Sequence, residues 1–313
     1  MKLYNSFQQF KVKNRESVVT IGMFDSIHLG HQSVIDKVIT TSRNYNLESI
    51  VVTFSNSPTS FFSKTNLNEF IFPVQDKIEQ LSKLGIDHLI IIPFDEFISS
   101  ISAKEFVEDL LINILNIKYL VLGYDNHFGR NREGSVDFIK HNYSLLIKAF
   151  SVKAVELNME VVSSTLIKNL LFQGKMDLVP QYLNRFYYIK GIVIKGKQLG
   201  RQLGFKTANI KFGKDLFKPL YGVYAVKVIY NNKEYHAVSN VGLRPTIIDN
   251  DEMNVETHIF DFDKEIYDEE IKIIFVKRIR DEIKFNSLDH LKAQIQKDIK
   301  SAQNILAQIH VTT

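Results

Sequence analysis

The sequence contains no cysteine and no tryptophan, and only 6 of its 313 residues are proline. Without cysteine there is no disulfide scaffold, no thiol catalysis, no cysteine zinc site and no cysteine-ligated cluster, and a reducing compartment is indicated. No run approaches the roughly 18 apolar residues of a membrane-spanning helix, and the first 17 residues lack the apolar core of a secretion signal. We therefore expect a soluble, cytoplasmic protein without a membrane partner.

Excess charge of one sign is also missing. The chain has 39 Lys and Arg against 35 Asp and Glu, a net charge of +4, and the basic residues are dispersed. Such a surface is not typical of nucleic-acid binding, so no nucleic-acid partner is expected. The chain is 45% hydrophobic, which excludes disorder, and at about 150 residues per domain its length predicts two domains.

The first 183 residues alternate between strand-like and helix-like segments. Predicted strands cover residues 17–23, 50–54, 88–92, 119–123 and 152–157, and predicted helices cover 31–43, 74–84 and 103–115. Strands that alternate with helices of about 10–15 residues are typical of βαβ units around a parallel sheet. We predict an α/β doubly wound parallel-sheet domain over residues 1–183.

The remaining residues, 184–313, have a different pattern. Short β-branched runs at 188–194, 221–229, 234–241, 255–260 and 271–276 are separated by turn signals, with no helical periodicity between them. Close strands joined by turns indicate an antiparallel barrel or sandwich. The chain ends in an amphipathic helix with Ser287 as its N-cap and an apolar stripe formed by Leu288, Leu291, Ile295, Ile299 and Ala302. We therefore predict an antiparallel β-barrel domain followed by a C-terminal helix.

The most informative motif follows the first predicted strand and opens the first helix. Residues 22–31 read GMFDSIHLGH. His28 and His31 are three residues apart and share one face at a helix N-terminus, where unpaired N–H groups favour phosphate. Gly30 lets a nucleotide approach the backbone. Two imidazoles at this place suit phosphoryl or nucleotidyl transfer, although two histidines at this spacing also occur as a metal pair or as surface residues.

This motif is similar to the G-x-F-D-G-x-H-x-G-H signature of the prokaryotic bifunctional riboflavin kinase/FAD synthetases. GYDNHFG at 123–129 resembles the family segment G-x-D-F-x-F-G, and SSTLIK at 163–168 resembles S-S-T-x-I-R. The resemblance implies transfer of AMP from Mg·ATP to FMN, giving FAD and pyrophosphate, with His28 and His31 as catalytic residues. It further implies ATP or phosphate contacts from Gly22, Phe24, Gly30, Ser163, Ser164, Thr165 and Lys168, and nucleotide or flavin contacts from Asp125, Asn126 and Phe128. Taken alone, the three hydroxyls at 163–165 are equally well explained as N-caps of a helix.

A second candidate site lies in the barrel half, where residues 191–209 read GIVIKGKQLGRQLGFKTAN. Spaced glycines with basic neighbours predict either a phosphate-binding loop or an ordinary barrel connection. Thr207 and Asn209 share one side of a strand and offer oxygens that suit Mg²⁺. Glu256 interrupts an apolar strand, and it is either a solvent-facing residue or, if it points inward beside an alcohol, a general base.

These segments also resemble the same family, whose kinase half carries G-x-x-x-G-R-x-L-G-F-P-T-A-N. LYGVY at 220–224, SNVGLRPT at 239–246 and VETH at 255–258 are similar to its later segments. The resemblance implies that Thr207 and Asn209 hold Mg·ATP and that Glu256 activates the 5′-hydroxyl of riboflavin. It also implies phosphate contacts from Gly196, Lys197, Gly200, Arg201 and Gly204. The expected partners are therefore riboflavin, FMN and ATP, with Mg²⁺ as cofactor, and a riboflavin kinase domain is expected over residues 184–313.

Four departures from the family pattern bear on the sites. Ser26 replaces a glycine, which matters only if that position needs a positive φ. Lys168 replaces arginine and loses a bidentate fork, and Lys206 replaces the proline before Thr207. The segment TFSNSP at 53–58 keeps the family's T-F…P frame without its D-P-H insert.

Three functions fit these motifs to different extents. The first is the two-site flavin enzyme, with both activities present. The second is another H-x-G-H adenylyltransferase, acting on nicotinate mononucleotide or phosphopantetheine, which leaves the barrel half unexplained. The third is an FAD synthetase with an impaired kinase site, or a flavin-binding or regulatory protein with a decayed one, against which Thr207, Asn209 and Glu256 argue.

Overall fold

The chain folds into two compact units, Met1–Ser164 and Thr165–Thr313. The computed structural model describes residues 1–10, 15–63, 70–196, 204–244 and 252–309. The first unit is a parallel sheet covered by helices, and the second is a closed antiparallel barrel followed by a long helix. Both predicted architectures are confirmed.

The sheet of the first unit has six parallel strands. They are β1 (Lys2–Tyr4), β2 (Ser17–Ile21), β3 (Glu48–Phe54), β4 (His88–Ile92), β5 (Ile117–Gly123) and β6 (Lys148–Val152). Their order is β1-β4-β3-β2-β5-β6. From β2 the chain proceeds to β3 on one side and later to β5 on the other, so the strand order switches here. In such sheets ligands bind at the carboxyl ends of the strands beside the switch point.

Helices cover both faces of this sheet. They are α1 (Leu29–Tyr45), α2 (Pro58–Ser63), α3 (Val74–Leu84), α4 (Glu96–Ser100), α5 (Ala103–Glu105), which continues as a π-helical segment over Phe106–Ile112, and α6 (Val136–Asn142). Because strand side chains alternate, Val18 faces the core under α1 and α3, while Val19 faces the core that contains Phe106. Both valines are fully buried, which explains the continuous apolar strands.

One prediction for this unit is wrong in detail, and one strand was missed. The last strand was expected at 152–157 but ends at Val152, and the residues that follow form a small hairpin of β7 (Glu156–Leu157) and β8 (Glu160–Val161). Strand β6 is an edge strand in which only Ala149 is buried, so it lacks the apolar run that marks its neighbours. Strand β1 was not predicted, because three residues paired only with β4 give almost no periodic signal.

Two helices follow the hairpin, α7 (Ser164–Phe172) and α8 (Val179–Leu183). Contacts in the second unit include a hydrogen bond from the Leu220 amide to the Leu171 carbonyl, 3.0 Å, and an ion pair between Lys277 and Asp177, 3.7 Å. The contact-based division therefore lies at 164/165, whereas the sequence predicted a boundary after residue 183. The sequence pattern placed α7 and α8 in the first half of the chain, whereas their contacts belong to the second unit.

The barrel consists of six strands in the closed order β10-β13-β12-β11-β14-β9. Their bounds are β9 (Tyr188–Ile194), β10 (Ala208–Lys211), β11 (Gly222–Tyr230), β12 (Lys233–Arg244), β13 (Glu252–Ile259) and β14 (Glu270–Arg280). Ser239 and Thr257 lie inside the barrel and share a hydrogen bond of 2.6 Å. Val238 and Ala225 point outward and belong to a second core against the C-terminal helix.

That helix, α9 (Leu288–Ala307), packs on the outside of the barrel. Ser287 caps it as predicted, because its hydroxyl accepts a hydrogen bond from the His290 amide. The buried stripe is centred on Ala302, whereas Leu288 is exposed. None of the helices within the described ranges is both long enough and apolar enough to cross a membrane.

An ion pair between Arg280 and the buried Asp298 joins α9 to the barrel. The guanidinium donates to both carboxylate oxygens, at 2.9 and 2.7 Å, and Asp298 is 4% exposed. We expect Asp298→Ala to lower the free energy of unfolding of the barrel by about 3 kcal/mol, because it leaves a partly buried cation without its partner. Urea unfolding checks this, with Asp289→Ala on the exposed first turn as the control. Equal losses in both variants would contradict the expectation.

Candidate active sites

The first candidate site is built around the start of α1. His28 is the N-cap of this helix, and its Nδ1 accepts a hydrogen bond of 3.2 Å from the His31 amide. Because Nδ1 is the acceptor, the proton of a neutral His28 lies on Nε2. The two rings are stacked, with centroids 3.6 Å apart and planes 15° from parallel. The predicted pair therefore exists as one unit at the carboxyl end of β2.

His31 is held in its neutral form. Burial lowers its pKa well below 6.5, and the nearby His28 ring and Lys77 ammonium lower it further. Its Nδ1 is buried and has no hydrogen-bond partner among the described residues. A neutral imidazole with an unused ring nitrogen can donate or accept at a phosphate without an ionisation step.

The turn that leads from β2 to α1 has an uncommon backbone. Phe24 and Ile27 have φ of 44° and 48°, in the left-handed region that few side chains adopt. Ser26, which stands where the family has glycine, is not among the residues with positive φ. It is fully buried, and its Oγ lies 3.4 Å from Oγ of Ser164. The serine is thus accommodated without backbone strain at that position.

Beneath this turn lies a buried lysine that the sequence motifs did not reveal. The Lys77 ammonium donates to the Met23 carbonyl at 2.7 Å, the Phe54 carbonyl at 3.0 Å and Thr53 Oγ1 at 3.2 Å. The residue is 2% exposed. Its three donors join the end of β3 to the loop after β2, so it fixes the floor of the site. The only sequence signal was a lysine on the apolar side of a predicted helix.

Burial lowers the pKa of Lys77 to about 8, opposed by the charge of Asp25. In the unfolded chain the pKa is 10.5, so between pH 8 and 10.5 unfolding takes up a proton and stability rises with pH. A shift of this size corresponds to about 3 kcal/mol. We expect Lys77→Met to remove this rise. The measurement is the difference in free energy of unfolding between wild type and variant, in urea, from pH 7 to 10.

The matched control for this prediction is Lys83→Met. Lys83 lies on the same helix, but its side chain is exposed, so Lys83→Met retains the buried Lys77 ammonium and is expected to keep the rise in stability. A curve for Lys77→Met that runs parallel to the wild-type curve would show that the buried ammonium does not titrate in this range.

A pocket of about 590 Å³ opens beside these residues. This volume is typical of sites for ligands of nucleotide size. Its lining includes the predicted residues Gly22, Phe24, His31, Asp125, Asn126 and Phe128. Asp125 is exposed at the rim, whereas the Asn126 amide donates to the Ile21 carbonyl and so braces the end of β2.

One wall of the pocket is aromatic and was not predicted. It is formed by Phe54, Phe62, Phe94 and Phe106. Phe54 and Phe62 pack on Phe94 with ring centroids 5.6 and 5.9 Å apart. The T-F…P frame at 53–58 was the one signal for this wall, because it marks the end of β3 and the start of α2.

Phe128 belongs to both the pocket and the core. It is 6% exposed and its ring lies 5.4 Å from that of Phe106. A Cβ at Gly134 would come within 2.3 Å of the Phe128 ring, which explains the glycine that follows the motif. Phe128 therefore presents one edge to the pocket while the glycine leaves room for its other side.

The remaining predicted phosphate contacts lie near and beyond the unit boundary. A Cβ at Gly30 would come within 3.1 Å of the His28 ring and 3.4 Å of the Val162 carbonyl, so only glycine fits without a shift. Val162 leads into Ser163 and Ser164, which therefore adjoin the histidine pair. Thr165 is exposed, and in the second unit the Lys168 ammonium lies over the Phe217 ring, 5.5 Å from its centroid.

The second candidate site lies on the outer surface of the barrel. Glu256 pairs in register with Asn209 on one side and with Asn240 on the other. Directly opposite residues in an antiparallel sheet share a face, and Thr257 next to Glu256 faces the interior. Glu256 therefore points outward and is exposed, which differs from the inward orientation that the base hypothesis assumed.

Although Glu256 points outward, it is not surrounded by solvent on all sides, because α9 covers part of this face of the barrel. A groove of about 270 Å³ runs between helix and barrel. The barrel contributes Asn240, Glu256 and Thr207, and the helix contributes Leu291 and Ile295. Polar and apolar side chains are mixed in this lining, since the barrel also contributes Val223 and Val238 and the helix also contributes Asp298. The groove therefore suits a flat, partly polar molecule with a hydroxyl near the carboxylate.

Thr207 lines both the groove and a smaller cavity of about 70 Å³, and Asn209 lines the smaller cavity. Asn209 is 4% exposed, and its Oδ1 accepts a hydrogen bond of 3.0 Å from Asn254 Nδ2. A Cβ at Gly196 would come within 2.5 Å of the Asn209 amide nitrogen. The amide is thus held between Gly196 and Asn254. Within the described ranges no group of three or more His, Asp or Glu side chains is arranged as a metal site.

Lys206, which replaces a proline of the family pattern, has a local partner. Its ammonium lies 2.5 Å from the Asp263 carboxylate, whose pKa is lowered by this hydrogen bond and charge. Its carbonyl accepts a hydrogen bond of 2.8 Å from His258 if Nδ1 of that ring carries the proton. The backbone before Thr207 is therefore fixed by side-chain contacts instead of a proline ring.

Three predicted phosphate contacts, Lys197, Gly200 and Arg201, lie outside the described residues. Gly204 begins the next described segment with φ of 88°, and no other described residue, its chain neighbours aside, comes within 4 Å of the position of its missing Cβ. Its glycine is therefore required by backbone conformation alone.

Comparison with known proteins assigns both halves of the chain. A family described as FAD synthetase matches residues 10–166, and a family described as riboflavin kinase matches residues 183–306. A bifunctional riboflavin kinase/FMN adenylyltransferase of Buchnera aphidicola subsp. Schizaphis graminum is 34% identical over 96% of this chain and 97% of its own length. The enzymes of the same name from Bacillus subtilis and Escherichia coli K12 are 34% and 32% identical, and cover 93% and 97% of both chains.

A solved structure named macrolide-efflux protein, from Streptococcus pneumoniae, has a TM-score of 0.88 at 29% identity and covers 97% of this chain and 98% of its own. The whole fold is therefore shared with a known structure. The riboflavin kinase match accounts for the barrel half of the chain. The hypothesis of another type of H-x-G-H adenylyltransferase leaves that half unexplained. The chain belongs to the bifunctional riboflavin kinase/FMN adenylyltransferase family.

Proposed function

We propose that the two units each carry one reaction of flavin cofactor synthesis, at the two sites described above. The chain phosphorylates riboflavin with ATP to give FMN, and it transfers AMP from ATP to FMN to give FAD and pyrophosphate. One observation supports this division of the two reactions. Each unit matches one of the two family domains and has its own pocket, whose lining includes residues that match the motifs of that domain.

In the first unit the histidine pair faces the phosphates of ATP. An FMN phosphate oxygen attacks the α-phosphorus, the bond to the β-phosphate breaks, and pyrophosphate leaves. Neutral His31 donates to phosphate oxygen as negative charge develops, and the N-terminal amides of α1 add their dipole. Because His28 already caps the helix, its ring is fixed before ATP binds, so little reorganisation is needed in the transition state.

The aromatic wall of this pocket is the proposed place of the isoalloxazine ring. Phe54, Phe62 and Phe94 form edge-to-face contacts and give the pocket an apolar surface. A flat aromatic ring is stabilised on such a surface, and its phosphate then points toward the polar wall. Asp125 and Asn126 lie on the polar side and are assigned to the nucleotide.

In the barrel the proposed general base is Glu256. Its carboxylate takes the proton of the riboflavin 5′-hydroxyl as that oxygen attacks the γ-phosphorus. The bond between the γ-phosphorus and its bridging oxygen breaks, and ADP leaves. The apolar side chains that line the groove beneath α9 hold the flavin, and Arg280, which also lines the groove, is paired with Asp298 and helps to shape it. Phosphoryl transfer depends on such positioning more than on covalent chemistry.

The residues assigned to Mg²⁺ fit that ion. Thr207 and Asn209 supply neutral oxygen donors, and the nearby Asn254 Oδ1 is buried without a hydrogen-bond partner in the part of the chain that the structure describes. Mg²⁺ prefers oxygen ligands and is usually held by few protein groups together with phosphates. When bound, it neutralises phosphate charge during transfer. Thr207 and Asn209 would hold it through the hydroxyl and the amide oxygen.

One incubation tests the proposed pair of activities. Riboflavin with ATP and Mg²⁺ should give FMN and then FAD, and FMN with ATP should give FAD directly, as resolved by chromatography. If the chain makes FAD from supplied FMN but no product from riboflavin, the kinase activity is excluded and the adenylyltransferase activity is retained. No flavin product from either substrate, with AMP transfer to another mononucleotide, would exclude the proposed function.

A further inference from the structure

We propose that Asn254 is a positioning residue of the kinase reaction, which links the proposed metal ligand Asn209 to the proposed base Glu256. No family motif used above assigns it a role. The inference rests on the proposed function of those two neighbours and extends it to a third residue on the same face of the barrel.

Asn254 lies on β13 two residues before Glu256, so the two side chains share the outward face. Its Nδ2 donates to Asn209 Oδ1 at 3.0 Å and to Glu256 Oε1 at 3.4 Å. Asn254 is 8% exposed and Asn209 is 4% exposed. One buried amide group thus contacts side chains from two neighbouring strands.

The chemistry of these partners determines which way both amides point. The Glu256 carboxylate only accepts hydrogen bonds, so the Asn254 atom that faces it is the nitrogen. The same nitrogen then requires an oxygen from Asn209, because a reversed Asn209 amide would place two N–H₂ groups against each other. Gly196 closes the other side of the Asn209 amide. Asn254 therefore keeps the Asn209 oxygen, the preferred donor for Mg²⁺, in one position.

The arrangement leaves one polar atom unused. The Asn254 Oδ1 is buried and has no hydrogen-bond partner among the described residues. Buried polar atoms are nearly always paired, and exceptions cluster where a ligand or water completes the set. Here the unpaired oxygen adjoins the two residues assigned to metal and base, as expected of a group whose last partner arrives with the substrate.

The test compares riboflavin phosphorylation in Asn254→Ala and Asn254→Asp with wild type. Alanine removes both hydrogen bonds. Aspartate keeps the shape but removes the donor and places a second carboxylate beside Glu256. We expect kcat to fall at least ten-fold and KM for Mg·ATP to rise in both variants, while FAD formation from FMN stays within two-fold.

Two further measurements separate positioning from loss of stability. Glu234→Ala removes the 2.7 Å ion pair with Lys227 in the same barrel, at residues that line neither the groove nor the smaller cavity, and its kinase constants should stay within two-fold. Calorimetric titration of ADP with and without Mg²⁺ should show at least a ten-fold smaller effect of Mg²⁺ in the Asn254 variants. The first unit is identical in all chains, so differences between titrations arise from the barrel.

A double variant gives the sharpest result. If Asn254 acts through Asn209, the chain with both residues changed to alanine loses Mg²⁺-dependent ADP affinity only as far as Asn209→Ala alone. The inference would be overturned if the two losses multiplied in full in the double variant. It would also be overturned by an equal loss in Glu234→Ala, or by wild-type kinetics in both Asn254 variants. Wild-type turnover in Asn209→Ala and Glu256→Gln would instead overturn the proposed barrel site, and the inference with it.

Discussion

Replacing His31 with alanine is expected to reduce FAD formation from FMN by about 100- to 1,000-fold, the usual effect of removing one preorganised donor at a transition state. The ring is stacked on His28 at 3.6 Å and its pKa is lowered by burial, so it is a fixed, neutral donor that alanine cannot replace. Riboflavin phosphorylation in the barrel should stay within two-fold. Both rates are measured by chromatography of the same reaction mixture.

The control for this variant is His141→Ala, which changes an exposed histidine on α6 and should leave both rates unchanged. His31→Gln retains an N–H donor and is expected to recover part of the lost activity. Equal loss of both activities in a folded His31→Ala chain would contradict two independent sites. Near wild-type FAD formation would remove the histidine pair from the reaction.

The first site could be predicted in large part because its signal is local. Strand β2, the glycine-containing turn and α1 are consecutive, so the run at 22–31 contains both the motif and its structural context. The N-cap role of His28 follows from the same local geometry. Lys77 and the aromatic wall could not be predicted in this way, because they reach the pocket from α3, α2 and the loop after β4 through tertiary packing.

The barrel was predicted as a class of fold, but its site depends on strand register. Nothing in the sequence indicates that Asn209, Glu256 and Asn240 are aligned across three neighbouring strands. The orientation of Glu256 could not be predicted either. Side chains alternate along a strand, so one face of the strand points inward and the other outward, but the alternation alone does not determine which face is inward. Closing of the barrel, with Thr257 and Val255 inside, determines that Glu256 faces the groove under α9.

Replacing Glu256 with glutamine is expected to lower kcat for riboflavin phosphorylation by about 100-fold or more, the usual contribution of a general base. The carboxylate is exposed to the groove, so it can reach a substrate hydroxyl, and its neighbour Asn254 donates to it at 3.4 Å. Glutamine has the same shape and its amide oxygen still accepts that hydrogen bond. The variant therefore removes the proton acceptor while leaving the positions of Asn254 and Asn209 intact.

Because the local geometry is conserved, KM for Mg·ATP should change little in Glu256→Gln, whereas the Asn254 variants are expected to change both constants. FAD formation from supplied FMN should be unaffected, which shows in the same chain that the protein is folded. Glu270→Gln, at the exposed start of β14, is the matched control and should leave kcat unchanged. Turnover of riboflavin near the wild-type rate in Glu256→Gln would show that the attacking hydroxyl loses its proton to another group.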